Sequence, residues 1–397
     1  MTANFPRDIV VLSAVRTAIG EYGGSLKSFG ATDLGALVVR EAIARSGVAP
    51  DQVGHGVIGN VVHGSTKDMY ASRVSCVNGG MSHDSQALTV NRLCGSGLQA
   101  IVSAAQLIML GDADCALGGG TEAMSQGAYT LPSARWGARM GDSQMVDMMV
   151  GALTDPFDSV HMGITAENVA DKWGITREQQ DAFAVESHRR AADAIANGRF
   201  KEQIVPVEVK SRKGSTFVDT DERVRADASL DGMSKLRTVF KRDGTVTAAN
   251  ASGINDGAAA LVLAEAGFAQ AQGLKPMARL VSYAFAGVDP AYMGEGPIPA
   301  VRKALERAGL TAADMDVIEA NEAFAAQALA VNQGLELDPA KVNPNGGAIA
   351  LGHPIGATGA IVTVKALYEL QRIGGRYALI TMCIGGGQGI AAIFERV

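Results

Sequence analysis

Cysteine is scarce in this chain: 397 residues contain four, Cys76, Cys94, Cys115 and Cys383, with no Cys-x-x-Cys pair. A disulfide framework and a cysteine-based zinc site are thereby excluded. Charge is scarce as well. Charged residues make up 19%, and the net charge of −6 gives no global positive field, which excludes a nucleic-acid binder. No apolar run approaches the ~18 residues of a membrane span. The start, residues 1–16, holds one short apolar run, 9–12, but lacks the basic-then-apolar layout and cleavage site of a signal peptide. A cytoplasmic location is the expectation. No G-x-G-x-x-G follows the first strand, and Gly385, Gly387 and Gly389 do not supply one, so a dinucleotide site is excluded. Walker and His-Glu-x-x-His sequences are missing too, and no metal is expected.

What is present is apolar and small: 47% hydrophobic residues and 48 glycines, the composition of a compact chain of two or three domains. Strands are expected at 9–13, 57–62, 87–90 and 115–117, the last running into Gly118, Gly119 and Gly120. Helices are expected at 31–46, closed by Gly47, and after Cys94 as far as Gly111. This alternation predicts a largely parallel sheet covered by helices. Residues 124–254 break the rhythm with irregular, charged stretches around one long helix, which the capping box Thr176-Arg-Glu-Gln179 opens and Gly198 closes. They read as an insertion covering a site. Within it, residues 199–242 carry 11 Lys/Arg against 7 Asp/Glu, a segment of +4 in a remainder of −10. An anionic ligand and a merely solvated face both fit that balance.

From Pro276 the early pattern returns. Arg40-Glu-Ala-Ile-Ala-Arg-Ser-Gly47 matches Arg302-Lys-Ala-Leu-Glu-Arg-Ala-Gly309, Val57-Ile58 falls on Val317-Ile318, and Ala100-Ile-Val-Ser103 falls on Ala360-Ile-Val-Thr363. A single long repeat means two related halves rather than a solenoid. It sets Cys94 and His353 at nearly equivalent helix starts, so each half brings one reactive group to a shared interface.

Chemistry concentrates in four stretches. Asn91-Arg-Leu-Cys-Gly-Ser-Gly97 places a thiol at the mouth of a helix. A free thiol with a pKa of ~8.5 is about 3% thiolate at pH 7, and a fall to roughly 6 at a helix N-terminus would give about 90%. The same residues also fit a small buried cysteine in a glycine-rich turn. In the second half, Asn321-Glu-Ala-Phe-Ala325 follows a strand, and Asn343-Pro-Asn-Gly-Gly-Ala-Ile-Ala-Leu-Gly-His-Pro-Ile-Gly-Ala-Thr-Gly359 sets His353 before a helix. Cys383-Ile-Gly-Gly-Gly-Gln-Gly389 follows an expected strand at 377–382. Loops after parallel strands are where α/β proteins assemble their sites. Cys383 could also simply cap its strand.

These four stretches together resemble the thiolases, over essentially the full length. Ala152-Leu-Thr-Asp-Pro-Phe157 and His161-Met-Gly-Ile-Thr-Ala-Glu167 extend the resemblance to the tetrameric biosynthetic branch and the bacterial β-ketothiolases. It implies an α/β fold of two similar βαβαβαββ halves in a five-layered αβαβα core. The implied division is an N-terminal domain of 1–123 with 255–275, an inserted coenzyme A-binding and tetramerisation domain of 124–254, and a C-terminal domain of 276–397. By resemblance, Cys94 takes the acyl group, His353 accepts its proton, and Cys383 removes the α-proton of a second acetyl-CoA. Asn321 holds a water for the enolate, and the N–H groups of Cys94 and Gly385 form an oxyanion hole. Arg225, Leu236, Phe240, Ala248 and Ser252 are implied for coenzyme A, with Leu153, His161 and Met162 at the pantetheine end and Ala323 and Phe324 nearby. Gly232 stands where relatives often carry Ser.

The implied activity is the reversible condensation of acetyl-CoA with a short acyl-CoA, or thiolysis of a 3-ketoacyl-CoA. Acyl-CoAs are substrates, no cofactor is needed, and fatty acid metabolism or polyhydroxyalkanoate biosynthesis is the setting. A degradative thiolase of broad chain length and a non-catalytic acyl-CoA binder are the competing readings. A ketosynthase usually pairs its Cys with two His, where this chain has Asn321 and Cys383.

Overall fold

The computed structural model describes residues 5–212 and 214–397. Residues 1–4 of the leader reading and Lys213 of the basic segment lie outside it. The first half runs β1 (Ile9–Thr17), α1 (Ala31–Ser46), β2 (His55–Gly59), α2 (Ala71–Asn78), β3 (Gln86–Val90), α3 (Ser96–Leu110) and β4 (Cys115–Ala123). The segment after it carries α4 (Met162–Trp173) and α5 (Arg177–Ala196), and β5 (Asn255–Glu265) then completes the half. The second half runs β6 (Ala278–Gly287), α6 (Pro297–Ala308), β7 (Val317–Ala320), α7 (Ala325–Gly334), α8 (Ala348–Leu351), α9 (Ile355–Ile373), β8 (Tyr377–Ile384) and β9 (Gln388–Arg396).

The strand order is β7-β8-β9-β6-β1-β5-β4-β2-β3. Read outward from the β6–β1 junction, 6-9-8-7 repeats 1-5-4-2, so the sequence repeat is also a topological one. The paired helices α1 and α6 end alike, on Gly47 at φ 75° and Gly309 at φ 67°, a left-handed conformation that glycine adopts without a Cβ penalty. Helices α1 and α2 cover the outside of the first half-sheet and α6 the outside of the second, while α3 and α9 lie between the two. This is the five-layered αβαβα arrangement. Its core follows the layers: Ile9 and Val11 of β1 face the central cluster with Leu98 and Ile361, while Val10 and Leu12 face the outer cluster with Leu34 and Val38.

Several local expectations need correction. The sheet is mixed rather than largely parallel. Only β2–β3, β2–β4 and β7–β8 of the neighbouring pairs on this path are parallel, while the five pairs from β8 through β9, β6, β1 and β5 to β4 are antiparallel. Strand β1 extends to Thr17, and the expected strand at 57–62 is His55–Gly59. Beyond Gly59 the N–H groups of Val61 and Val62 turn to the Glu122 carboxylate at 3.2 and 3.0 Å instead of a ladder. The glycines at 118–120 do not end a strand; β4 runs through them to Ala123. Cys383 lies inside β8, not after it. Residues 93–110, taken as too short for a span, are long and apolar enough by composition to cross a membrane; here their helix packs in the central layer.

The capping box is present: Gln179 N–H reaches Thr176 Oγ1 at 3.3 Å, and Thr176 N–H reaches Gln179 Oε1 at 2.8 Å. The 124–254 segment is anchored to β1 by a fully buried pair, in which the Arg16 guanidinium forks onto Asp221 at 2.8 and 3.0 Å and donates to Gln203 Oε1 at 2.7 Å. With all three bonds made, that charge is satisfied without water.

The β4 glycines allow sheet and helix backbones to touch. A Cβ on Gly120 would overlap the carbonyl oxygen of Gly356 and come within 2.8 Å of Ala357 Cα. Both are backbone atoms of α9 and cannot rotate aside. Gly120→Ala is therefore expected to destabilise the fold by about 1–3 kcal/mol, whereas Gly151→Ala, which meets nothing within 4 Å, should change the melting temperature little. Equal thermal midpoints for the two variants would refute this account.

Candidate active site

Between β3 and α3 the chain makes a tight turn in which Leu93 adopts φ 45°. Its N–H donates to Asn91 Oδ1 at 3.0 Å; Ser96 Oγ accepts from Arg92 N–H at 2.8 Å and donates to Leu93 O at 2.7 Å. These bonds hold a conformation that a branched side chain otherwise avoids. The turn presents Cys94 just before α3, with part of its surface open to a cavity.

His353 sits just before α9 in the same way. Gly352, at φ 117°, permits the bend, and His353 N–H donates to Asn255 Oδ1 at 2.9 Å. Asn255 in turn donates to Gly20 O at 2.9 Å, so the first half of the chain seats the histidine of the second. Glu122 adds a further tie, accepting from Gly356 N–H at 2.7 Å. Cys383 is fully buried on β8 and is followed by a turn in which Gly386 and Gly387 both take φ 80°.

Cys94, His353, Cys383 and Gly385 line one cavity of about 320 Å³. Of the residues expected around coenzyme A, Leu153, His161, Met162 and Phe240 share this lining, as do Ala248, Ser252, Ala323 and Phe324. Arg225 and Leu236 do not. They line an adjoining groove of about 410 Å³, which shares Arg223 and Ala248 with the cavity. Gly232 lies in that groove, its N–H 3.3 Å from Ser229 Oγ. Asn321 is not on the cavity wall. It is buried at the end of β7, two residues before Ala323, and neither side-chain polar atom has a protein partner among the described residues. His353 Nε2 is orphaned likewise. Buried polar atoms are rarely left so in a native fold.

The walls are built by stacking. His161 lies on Phe240 with centroids 4.5 Å apart, and Phe240 meets Phe324 edge-on at 6.3 Å. Gly163 makes room for the Phe240 ring. Sequence reasoning missed Arg223, whose guanidinium donates to Ile349 O at 3.1 Å, Ala251 O at 3.3 Å and Ala248 O at 3.4 Å at the junction of cavity and groove. It also missed Met293, Ile254 and Ile355 in the lining. Arg223 was visible only as one charge of the basic segment, and the apolar three carry no local signal. That segment is less free than its charge suggested: Arg199, Arg225, Lys235 and Lys241 pair with Asp193, Glu21, Asp231 and Asp171. A larger cavity of about 890 Å³ lies between α5 and α7 and holds none of the expected residues.

The electrostatics overturn one expectation. Burial pushes the Cys94 thiol up, not down, and the nearby Glu122 charge adds to the rise, against the N–H groups of Gly385 and of Cys94 itself, which favour the thiolate. The helix end is already engaged, because Gly95 N–H bonds Arg92 O at 3.0 Å and Ser96 N–H bonds Leu93 O at 2.9 Å. Arg92 offers no compensating charge; its guanidinium lies over the Phe285 ring, 4.6 Å from the centroid. Burial and the adjacent Cys94 push Cys383 well above the ordinary thiol range. Burial lowers His353 to about 4, so its ring is neutral at pH 7. A thiol with a raised pKa carries less thiolate at any given pH. Alkylation of Cys94 by iodoacetamide should thus still be rising with pH above the ~8.5 of a free thiol, and a plateau reached by pH 7 would show the helix end winning over burial.

The comparisons agree with this geometry. Residues 9–267 match the model of the thiolase N-terminal domain and residues 274–396 that of the thiolase C-terminal domain. The chain is 66% identical over 392 residues to beta-ketothiolase BktB of Cupriavidus necator, covering 98% of this chain and 100% of that one. It is 52% identical over 392 residues to an acetyl-CoA acetyltransferase of Allochromatium vinosum, covering 98% and 99%. Human mitochondrial 3-ketoacyl-CoA thiolase, solved in complex with CoA, superposes with a TM-score of 0.97 at 43% identity, over 100% of both chains. With both family models matched in order along nearly its whole length, the chain belongs to the thiolase family.

Proposed function

We propose that this protein is an acyltransferase that condenses acetyl-CoA with a short acyl-CoA and, in reverse, cleaves a 3-ketoacyl-CoA with coenzyme A, passing through an acyl-Cys94 thioester. The observation that carries the reading is the meeting of Cys94, His353, Cys383 and Gly385 in one cavity. His353 Nε2 takes the Cys94 proton as the sulfur attacks the thioester carbonyl and keeps it, while the Cys383 thiol protonates the departing coenzyme A sulfur, leaving an imidazolium and a Cys383 thiolate. A neutral imidazole is the form able to accept it. In the second half-reaction Cys383, as thiolate, removes the α-proton of acetyl-CoA. Its raised pKa makes it a weaker acid and a stronger base, which a C–H proton demands. The enolate oxygen is held by the imidazolium and by a water on Asn321. The enolate carbon then attacks the acyl-Cys94 carbonyl, whose oxyanion lies on the N–H groups of Cys94 and Gly385, and Cys94 departs as thiolate and takes back the proton held on His353. Each such donor contributes about 10²–10³ in rate.

Coenzyme A would lie with its pantetheine arm along Leu153, His161 and Met162 and its charged end in the groove of Arg225 and Leu236. The apolar side chains of Met162, Met293 and Phe324 in the lining support a preference for short chains, with no metal or other cofactor taking part. The division into 1–123 with 255–275, 124–254 and 276–397 is kept as the working domain description, and a cytoplasmic setting as the working location. A homotetramer is proposed because the arm after β4 exposes apolar side chains that a lone chain leaves in water: Trp136 is 84% and Met140 98% exposed. Light scattering should give a mass near four times 41.0 kDa, and twice that mass would reject the tetramer.

The two thiols should separate by step. Cys94→Ala is expected to form no acetyl adduct with acetyl-CoA by intact-protein mass spectrometry. Cys383→Ala should still be acetylated, yet lose condensation and α-proton exchange with solvent by about 10²–10⁴. Unimpaired exchange in Cys383→Ala would remove it as the base.

A further inference from the structure

We propose that Thr358 is a positioning residue for His353: its hydroxyl selects the tautomer with the proton on Nδ1 and leaves Nε2 as the free basic nitrogen. The catalytic consequence rests on the reading of His353 as the acceptor of the Cys94 proton. His353 Nδ1 and Thr358 Oγ1 are 2.6 Å apart, both side chains are buried, and Thr358 Oγ1 is also 2.9 Å from Pro354 O. Two placements of the protons satisfy these distances. If Thr358 donated to Nδ1, the ring proton would sit on Nε2, which has no protein acceptor among the described residues. One hydrogen bond would form, and a buried donor would be stranded at a cost of about 1–3 kcal/mol. If Thr358 instead donates to Pro354 O, the bond a helical threonine commonly makes to the carbonyl four residues back, its oxygen can only accept from Nδ1–H. Both protons are then bonded, and the unpaired atom is an acceptor in a residue that lines the cavity with Cys94.

The choice matters because burial keeps this ring neutral. A charged imidazolium would carry both protons and have no tautomer to select. The rest of the residue is already fixed: Asn255 holds the backbone N–H and Gly352 the bend. What remains free is rotation and protonation of the ring, and Thr358, in the first turn of α9, is the group that meets it. Histidine tautomers are set this way wherever one nitrogen must stay basic, and in a serine-protease triad the wrong tautomer is severely damaging.

The test is a magic-angle-spinning ¹⁵N spectrum of the full-length enzyme labelled at its six histidines, with His353 assigned by difference from His353→Gln. At pH 7 the expected His353 signals are a protonated Nδ1 and an imine-type Nε2. Thr358→Val should mix the two forms and lower the rate of Cys94 acetylation about 10- to 100-fold, with KM for acetyl-CoA changed less than 2-fold. Thr358→Ser, which keeps the hydroxyl, should restore both spectrum and rate. A wild-type ring protonated at Nε2 overturns the proposal, as does a Thr358→Val spectrum identical to wild type. Should the Val variant misfold, the wild-type and Ser spectra still decide the tautomer. If the tautomer shifts in the Val variant while acetylation is unimpaired, Thr358 stands as the selector and His353 loses its assignment as base.

Discussion

Everything at this site depends on two helix starts lying in backbone contact. A Cβ on Gly97 would come within 2.6 Å of Ala360 N, and one on Gly359 would overlap Leu98 N, so α3 and α9 cross where neither carries a side chain. Gly120 lets β4 close against the same turn of α9. Side chains there would part the helices, and with them Cys94 and His353, which immediately precede their first turns. The central layer of the fold is thus also what brings one reactive group from each half into a common cavity.

Burial then sets the electrostatics of the cavity. Both thiols are driven toward the protonated form and the imidazole toward the neutral one. In the proposed reaction charge develops as substrate arrives, and the N–H groups of Cys94 and Gly385 would meet it. Such preorganised donors act strongly because they need not reorient in a medium of low dielectric.

Beneath the Asn321 loop lies a buried polar network whose members are largely satisfied by one another. Glu322 accepts from Ser187 Oγ at 2.6 Å and Asn343 Nδ2 at 2.8 Å, and Lys365 pairs with Glu319 at 2.7 Å and donates to Gly346 O at 2.7 Å. Networks of this kind rigidify when complete. Asn321, next to Glu322 in the chain, has no protein partner for its amide among the described residues, as Glu319 Oε1 has none.

Much of this was legible in the chain itself. The repeat announced two alike halves, Gly47 ended its helix where expected, and the capping box at Thr176 began α5. Cys94, His353 and Cys383 could be picked out because polar groups among glycines and small residues are locally unusual. Local pattern is enough where the physics is local: a helix end, a cap, a turn. It failed where the cause lay in another part of the chain. Gly118 to Gly120 read as a strand terminus because two of their partners, β5 and α9, are distant in sequence. The antiparallel centre of the sheet depended on which strands return beside which. Arg223 and Met293 gained a place only from the walls around them. Burial pushes the Cys94 thiol up where its helix alone points down, since burial is a property of everything packed around an atom and no stretch of sequence contains it.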